Sequence, residues 1–506
     1  MIDHPGLHSV LPNDEHDAAL LARVHPDTWV NPTPAGRYHL VVVGGGTAGL
    51  VCAAGAAGLG ARVALVERAL LGGDCLNTGC VPSKSVLVAG RAVGSGAAEA
   101  LGIGTGGRVD FATAMARMRR IRAEIARADA ADRFAALGVD VYLGDGRFVG
   151  KDSLTVGEQT LTFRKAVIAT GGAPWTPPIE GLDSLRPFTS DDWFTQTNRP
   201  ERVAVVGAGP IGCEMAQAFA QLGSAVTVLD MATAVLGRDD PDAAALVRHS
   251  LEASGVHFEL GVSITGAQGD GGRAGTLGWS RGDEAGEVRF DALLLATGRR
   301  TRTAGLGLET AGVELDERGR LVLDDRLRTT NPRIFAAGDV AGGAQFTHAA
   351  DAMARIVIGN ALFRGRGRVS DLVIPWATYT EPEVAGVGLT AEGAADAGIE
   401  IDTYTVDFAD VDRAELEGEE GFVRAHVKRG TDTLVGAAAV GRNAGDLIAS
   451  FSVLMTEGLG LGALSRSIQP YPSRAMALKQ LGDQYNRTRL TPFRRKLIER
   501  LVDWLA

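Results

Sequence analysis

Cysteine is scarce in this chain, with four residues in 506, at positions 52, 75, 80 and 213, and none beyond Cys213. That scarcity excludes a disulfide-stapled secreted scaffold, which needs many paired cysteines to hold a small core. Long apolar runs are also missing: no stretch reaches the roughly 18 uncharged apolar residues that a membrane-spanning helix requires. The opening residues Met1-Ile2-Asp3-His4-Pro5 lack a basic segment followed by an apolar one, so no secretory signal is read and a cytoplasmic location is expected. Positive charge is in deficit, 51 Lys and Arg against 61 Asp and Glu for a net charge of −10. That deficit argues against nucleic acid or an anionic membrane as the main partner and leaves a small substrate.

What remains is a globular profile, 45% hydrophobic and 22% charged, long enough for about three domains. Within it Cys52 and Cys213 fall in apolar helical runs, whereas Cys75 and Cys80 share the segment Gly72-Gly73-Asp74-Cys75-Leu76-Asn77-Thr78-Gly79-Cys80-Val81-Pro82-Ser83-Lys84. A cross-link closing so short a loop contributes little chain entropy as a staple. In a reducing compartment such a pair is more often catalytic or metal-binding than structural.

The strand-like run Leu40 to Val43 leads into Gly44-Gly45-Gly46-Thr47-Ala48-Gly49, an Ala-rich helix, and a strand ending at Glu67. Glycines at the first, third and sixth places serve a tight turn, close approach of a pyrophosphate, and close helix–strand packing. The free N–H groups of the following helix start favour an anion. The pattern recurs as Val203 to Val206, Gly207-Ala208-Gly209-Pro210-Ile211-Gly212, a helix from Cys213, and a strand ending at Asp230. One such fingerprint among 67 glycines is weak evidence, but two in matching contexts imply two bound dinucleotides.

Further strands end in glycine turns at Thr170-Gly171-Gly172, at Thr297-Gly298-Arg299, and at Gly338-Asp339. After about Asp371 alternating strands and a long helix from Ala444 to Gly458 suit an α+β module. The fold class expected is α/β, with two Rossmann-like dinucleotide-binding domains and a C-terminal α+β module. The expected division is an extension at 1–37 lying over the body, a first dinucleotide-binding domain at 38–190 and 299–370, a second at 191–298, an α+β module at 371–492, and a basic amphipathic helix at 493–506 packed on the surface.

Assembled in this order, residues 38–492 resemble the class I pyridine nucleotide–disulfide oxidoreductases, the flavoprotein family of dihydrolipoamide dehydrogenase, glutathione reductase and mercuric reductase. The resemblance implies a homodimer with an FAD-binding domain at 38–190 and 299–370, an NAD(P)-binding domain at 191–298 and an α+β dimerisation domain at 371–492. In it Gly44, Gly46 and Gly49 bind FAD, with Glu67 on the adenosine ribose and Asp339 on the ribityl or phosphate region. Gly73, Lys84, Gly146, Thr170, Gly171 and Thr347 complete that implied set. Gly207, Gly209, Gly212, Asp230 and Gly298 are implied for the nicotinamide cofactor. A carboxylate at Asp230 accepts from ribose hydroxyls and repels a 2′-phosphate, so NADH is expected over NADPH.

The family's Lys–Glu pair maps onto Lys84 and Glu214, a cation favouring the reduced flavin and a carboxylate keeping that cation charged. The implied relay runs from NADH to the flavin and on to Cys80, leaving Cys75 as the outward nucleophile. Both thiols are expected near helix starts, where the dipole favours thiolate.

The pattern departs from the disulfide-reducing members in Ile468-Gln469-Pro470-Tyr471-Pro472-Ser473-Arg474-Ala475-Met476. There Tyr471 stands where the family has a proton-shuttling histidine and Met476 where it has a glutamate. A phenol with an ordinary pKa of about 10 is a poor substitute for imidazole near neutrality. His348 and His426 are weighed as alternative bases and set aside, because a lone histidine is usually structural. Mercuric reductase similarly has a tyrosine in this segment, and soft metals suit thiolates, although this chain lacks the C-terminal cysteine pair of that branch. The reading is therefore an FAD-dependent, mercuric reductase-like oxidoreductase that uses Cys75, Cys80, Lys84, Glu214 and Tyr471. Cys75 and Cys80 would be transient ligands of a substrate metal, with no structural metal. The alternatives kept open are a specialised thiol or disulfide reductase and a dihydrolipoamide dehydrogenase-like complex subunit.

Overall fold

The computed structural model describes residues 10–94 and 110–505, in two compact units: one up to Thr233 with Ser254–Leu372, the other Ala234–Ala253 with the chain from Val373 onward. Residues 1–9 of the expected extension, residues 95–109 of the expected FAD-binding region, and Ala506 lie outside the described residues.

The first unit holds a larger mixed sheet, parallel at its centre, and a smaller parallel one. In the larger, the strand Tyr38–Val43 pairs in parallel with Val63–Glu67 on one side and Gln159–Ile168 on the other, with Leu40 opposite Val63 and Val43 opposite Ile168. Val139–Leu143 extends one edge, Ile334–Ala336 pairs in parallel with Gln159–Ile168, and the hairpin Gly146–Gly150 and Ser153–Val156 completes seven strands. Tyr38, Leu40, Val41, Val42 and Val43 are all buried, as a strand covered on both faces requires, which explains the unbroken apolar run.

The smaller sheet has the order Val256–Leu260, Ala225–Asp230, Arg202–Val206, Ala292–Leu295. Phe188 bridges Leu294, and Leu182 and Leu185 pack in this sheet's core, so chain placed before the expected boundary at 190 joins the second sheet. The helix after the second fingerprint runs Pro210–Gln221, starting three residues before the expected Cys213, because proline suits a first helical turn whose N–H has no partner.

The second unit is built on a five-stranded antiparallel sheet in the order Pro375–Thr378, Glu383–Gly388, Leu434–Gly441, Phe422–Lys428, Ile401–Asp407. The helices Ala444–Thr456 and Met476–Thr488 bury Phe451, Leu478 and Leu481 in its core. Helix Pro241–Ala253, expected within the nicotinamide domain, belongs to this unit: Arg424 donates to Asp240 at 2.8 Å and Trp376 to Asp239 at 2.7 Å. The C-terminal helix Pro492–Leu505 forms as expected but is not packed on the surface as expected, since none of its residues is buried and Phe493, Leu501 and Trp504 stand exposed.

In the first fingerprint Gly44 has φ +110, and a Cβ on Gly49 would stand 1.8 Å from the Gly44 carbonyl oxygen. Gly49→Ala should therefore destabilise the folded chain by about 3 kcal/mol, because backbone rather than a movable side chain blocks the methyl. Urea unfolding of the two proteins checks this, and equal midpoints would show that the turn can relax.

Candidate active site

A cavity of about 690 Å³ opens in the first unit, within the ~300–1,000 Å³ range of small-molecule and cofactor sites. The sequence-predicted residues Gly44, Gly46, Glu67, Gly73, Cys75, Cys80, Gly146, Thr170, Gly171, Asp339 and Thr347 all line it. Gly49 lies behind the turn as a packing residue, and Ile211 of the second fingerprint reaches the same cavity.

The walls match a dinucleotide diphosphate. A Cβ on Gly73 would stand 2.6 Å from Gly46 Cα, so two glycines face each other beside the first fingerprint, and a side chain on Gly73 would close that gap. At the strand end the buried Glu67 carboxylate accepts from Gly45 N at 2.5 Å and Ala69 N at 2.7 Å, and burial still leaves it harder to ionise than usual. Asp230 repeats the arrangement in the second unit of the pattern, accepting from Ala208 N at 2.6 Å and Ala232 N at 2.8 Å. A Cβ on Gly207 would lie 2.5 Å from Ala296 O and one on Gly212 1.9 Å from Gly207 O, whereas Gly209 has open space around it. Gly298, at φ +112, is likewise open.

Cys75 lies in the short helix Gly73–Asn77 and Cys80 begins the helix Cys80–Gly94; both are free thiols here. Cys80 Sγ lies 3.6 Å from Thr347 Oγ1. A hydrogen bond from Cys75 is the largest influence lowering the Cys80 thiol, to about 6, with Thr347 and the Lys84 charge acting the same way and burial opposing them. Cys75 moves the other way, well above an ordinary thiol, through its bond to Cys80 and its burial, with the Asp129 carboxylate adding repulsion. The expectation that both thiols favour thiolate thus holds for Cys80 alone: the pair shares one proton, and Cys75 keeps it.

Lys84 follows Cys80 by one helical turn, on the same face. Its Nζ donates to Glu214 Oε2 at 2.7 Å and Oε1 at 2.9 Å, joining the Cys80–Gly94 helix to the helix of the second fingerprint. Neither residue lines the cavity itself. Glu214 is 3% exposed, and Lys84 brings a cation to its buried carboxylate.

Sequence reasoning missed a set of charged residues. Arg299 pairs with Asp74, donates to Gly172 O at 2.8 Å and lies 3.8 Å from Asp339, whose carboxyl is raised mainly by burial. Arg302 pairs with Asp191 at 3.3 Å. The one local signal was Asp74 itself, an acid next to a phosphate-type glycine, which calls for a nearby cation; its partner lies 225 residues away in the chain.

Tyr471 is 71% exposed, and its hydroxyl donates to Asp412 Oδ2 at 2.7 Å, a bond to a carboxylate that raises the phenol further. His426 is buried in the second unit with Nδ1 2.8 Å from Thr403 Oγ1, and burial lowers its ring. His348 stacks on Phe346. Among the described residues no group of three or more His, Cys, Asp or Glu side chains is arranged to hold a metal ion, and no helix is long and apolar enough to cross a membrane.

A dinucleotide-type turn and a dithiol at one cavity, with a second such turn reaching it through Ile211, define a nucleotide-dependent dithiol oxidoreductase. Residues 38–354 match the pyridine nucleotide-disulphide oxidoreductase family and residues 374–481 match its dimerisation domain, so the chain belongs to that family. It is 36% identical over 452 residues to mercuric reductase of Streptomyces lividans, covering 87% of this chain and 95% of that one. It is 33% identical over 455 residues to dihydrolipoyl dehydrogenase of Thermus scotoductus, covering 88% and 97%. Among solved structures, the Cu(II) complex of the HOCl-induced flavoprotein disulfide reductase RclA from Escherichia coli superposes with a TM-score of 0.78 at 29% identity, covering 89% of this chain and 100% of that one. The protein is accordingly an FAD-dependent, mercuric reductase-like oxidoreductase that takes electrons from NAD(P)H.

With the Cys80 thiol lowered to about 6, first by the Cys75 hydrogen bond, its thiolate fraction falls as pH drops through that value. Lys84→Gln removes a nearby cation and should move the midpoint upward. A pH titration of thiolate absorbance in the reduced protein reads this directly, and an unmoved midpoint would show that Lys84 does not act on Cys80.

Proposed function

We propose that this enzyme carries electrons from NADH by way of FAD to Cys75 and Cys80, and from that pair to a thiolate-bound soft metal ion, Hg(II) first. Gly44, Gly46, Gly73, Gly146, Thr170, Gly171, Glu67, Asp339 and Thr347 would hold FAD, and Gly207, Gly209, Gly212, Asp230 and Gly298 the nicotinamide cofactor. When bound, FAD supplies two-electron transfer between the nicotinamide donor and the thiol pair. The FAD-binding, nicotinamide-binding and dimerisation domains take the sequence division at 38–190 with 299–370, 191–298 and 371–492, except that chain from about Leu182 joins the nicotinamide-binding sheet and the helix Pro241–Ala253 joins the dimerisation unit. In this reading the molecule is a homodimer of the cytosol, where its donor is found.

The observation that carries the metal reading is the division of charge between the sulfurs. Cys80 is poised as thiolate beside Lys84, so it binds a soft cation without waiting for deprotonation. Cys75 then loses its proton as its own bond to the metal forms, since the cation offsets the repulsion that held that proton in place. Two sulfur–metal bonds replace one S–H bond and one free thiolate, with one proton released. Tyr471 is not the proton shuttle here, because Asp412 shifts its phenol away from neutrality.

A thiol or disulfide reductase remains the second reading, supported by the dihydrolipoyl dehydrogenase relative. Hg(II) offered with excess thiol should accelerate NADH oxidation, Cys75→Ser and Cys80→Ser should each abolish that acceleration, and lipoamide or glutathione disulfide should turn over at least tenfold more slowly. Fast disulfide turnover with no response to Hg(II) would reverse the assignment. Asp230→Ala should narrow the preference for NADH over NADPH, which the ratio of the two kcat/KM values measures.

A further inference from the structure

Residues 10–37 precede the part of the chain that matches the family, yet they are built into the first unit at the redox loop. Asp14 caps the helix Glu15–Val24 by accepting from His16 N at 3.0 Å and Asp17 N at 2.9 Å. Leu20 and Val24, on its inner face, are fully buried in the core of the large sheet. Two ion pairs join this segment to the helix Phe111–Ile125: Asp14 with Arg119 at 2.6 Å and Asp17 with Arg122 at 2.7 Å. The second pair is sealed, with exposures of 0% for Asp17 and 1% for Arg122.

Arg122 does not stop at Asp17. Its other terminal nitrogen donates to the carbonyl of Asn77 at 2.9 Å, and Asn77 lies between the two cysteines. The Asn77 side chain in turn donates to Leu71 O at 3.1 Å and Gly73 O at 2.8 Å. Leu71 N closes the ring by donating to Val24 O at 3.2 Å, at the end of the N-terminal helix, and the neighbouring His25 ring meets Ala69 O. Beyond the helix, Trp29 donates to Val141 O at 3.1 Å, and Asn31 exchanges bonds with Leu143 at 2.9 and 2.8 Å, which ties the segment to an edge strand.

We infer that residues 10–31 form a clamp on the redox loop, in which Asp17, acting through Arg122, fixes the Asn77 carbonyl and with it the relative placement of Cys75 and Cys80. A sealed ion pair is a poor device for stability alone, because apolar residues of similar volume do as well or better. A guanidinium with a rigid fork is what bridges a carboxylate and a carbonyl at set angles, and lysine does not reproduce that geometry. Asp17 is thus a positioning residue for the thiol pair. The inference rests on Cys75 and Cys80 being the redox pair of the proposed function.

The test uses the reduced holoenzyme and the pH midpoint of its long-wavelength thiolate–flavin absorbance, a readout that general loss of stability does not move. The variant D17L/R122M removes both charges together, so no buried ion is left unpaired. It is expected to fold and retain FAD, to shift the midpoint upward by about one unit, and to lose about tenfold in metal-dependent turnover, while reduction of the bound flavin by NADH keeps its rate. If the double variant does not accumulate as folded protein, R122K, which retains the positive charge but not the bridge, is read in its place, with the same shift expected. A wild-type midpoint in either folded variant overturns the clamp. Absence of the absorbance band in the wild type would instead overturn the redox assignment of the cysteines, so the two failures are distinguishable.

Discussion

The charge on Cys80 is the constraint around which the first unit is arranged. A thiolate at a cavity wall must be compensated, and four features do it: the Cys75 hydrogen bond, Thr347, Lys84 one turn along, and the N-terminus of the helix it begins. Lys84 would be a liability inside the protein without Glu214, and Glu214 is supplied by the helix that follows the second fingerprint. The two nucleotide-binding halves are therefore joined by the ion pair that supports the thiolate. Any change in how these helices pack alters the electrostatics of the sulfur as well as the fold.

The cavity follows a similar logic of balanced charge. Its walls carry Glu67, Asp74 and Asp339, and a dinucleotide adds a diphosphate, so anions would accumulate without countermeasures. Glu67 is held by backbone N–H groups, a neutral solution that leaves the local charge unchanged. Asp74 and Asp339 are instead met by Arg299, which is also anchored to the Gly172 carbonyl and so presents its charge from a fixed position. Arg302 approaches from the same turn and is oriented by Asp191. The residues after the glycine at 298 thus serve as a cationic edge to the site.

How much of this was legible in the sequence depended on chain distance. The fingerprints, their glycines and the acids at the ends of the second strands are local patterns in which each residue's reason lies within about thirty positions, and all were placed correctly in the strand–turn–helix context. The thiol pair was equally local. What escaped were partners brought together by the fold: Arg299 with Asp74, and Arg122 with Asp17 at a separation of 105 residues. The unequal acidity of the two thiols was also invisible, since both sit near helix starts and only their mutual hydrogen bond and burial divide them. The helix at 241–253 was assigned to the nicotinamide domain by sequence order, whereas its anchoring side chains Asp239 and Asp240 pair with Trp376 and Arg424 more than 130 residues on.

The proton inventory bears on the choice of acceptor. Reducing a disulfide consumes protons at the leaving sulfurs, and that chemistry needs an acid that titrates near neutrality. No histidine lines the cavity among the described residues, and the tyrosine at the histidine's place in the family pattern is bonded to a carboxylate that makes it a weaker acid. Capturing a soft cation runs the proton balance in reverse: thiols lose protons as the metal binds, and solvent accepts them without a dedicated base. A pair in which one sulfur is already ionised and the other holds a single proton is matched to the second process. The expected replacement of a His–Glu dyad by Tyr471 and Met476 would remove a group that metal capture does not use, and the thiol electrostatics favour the same acceptor class.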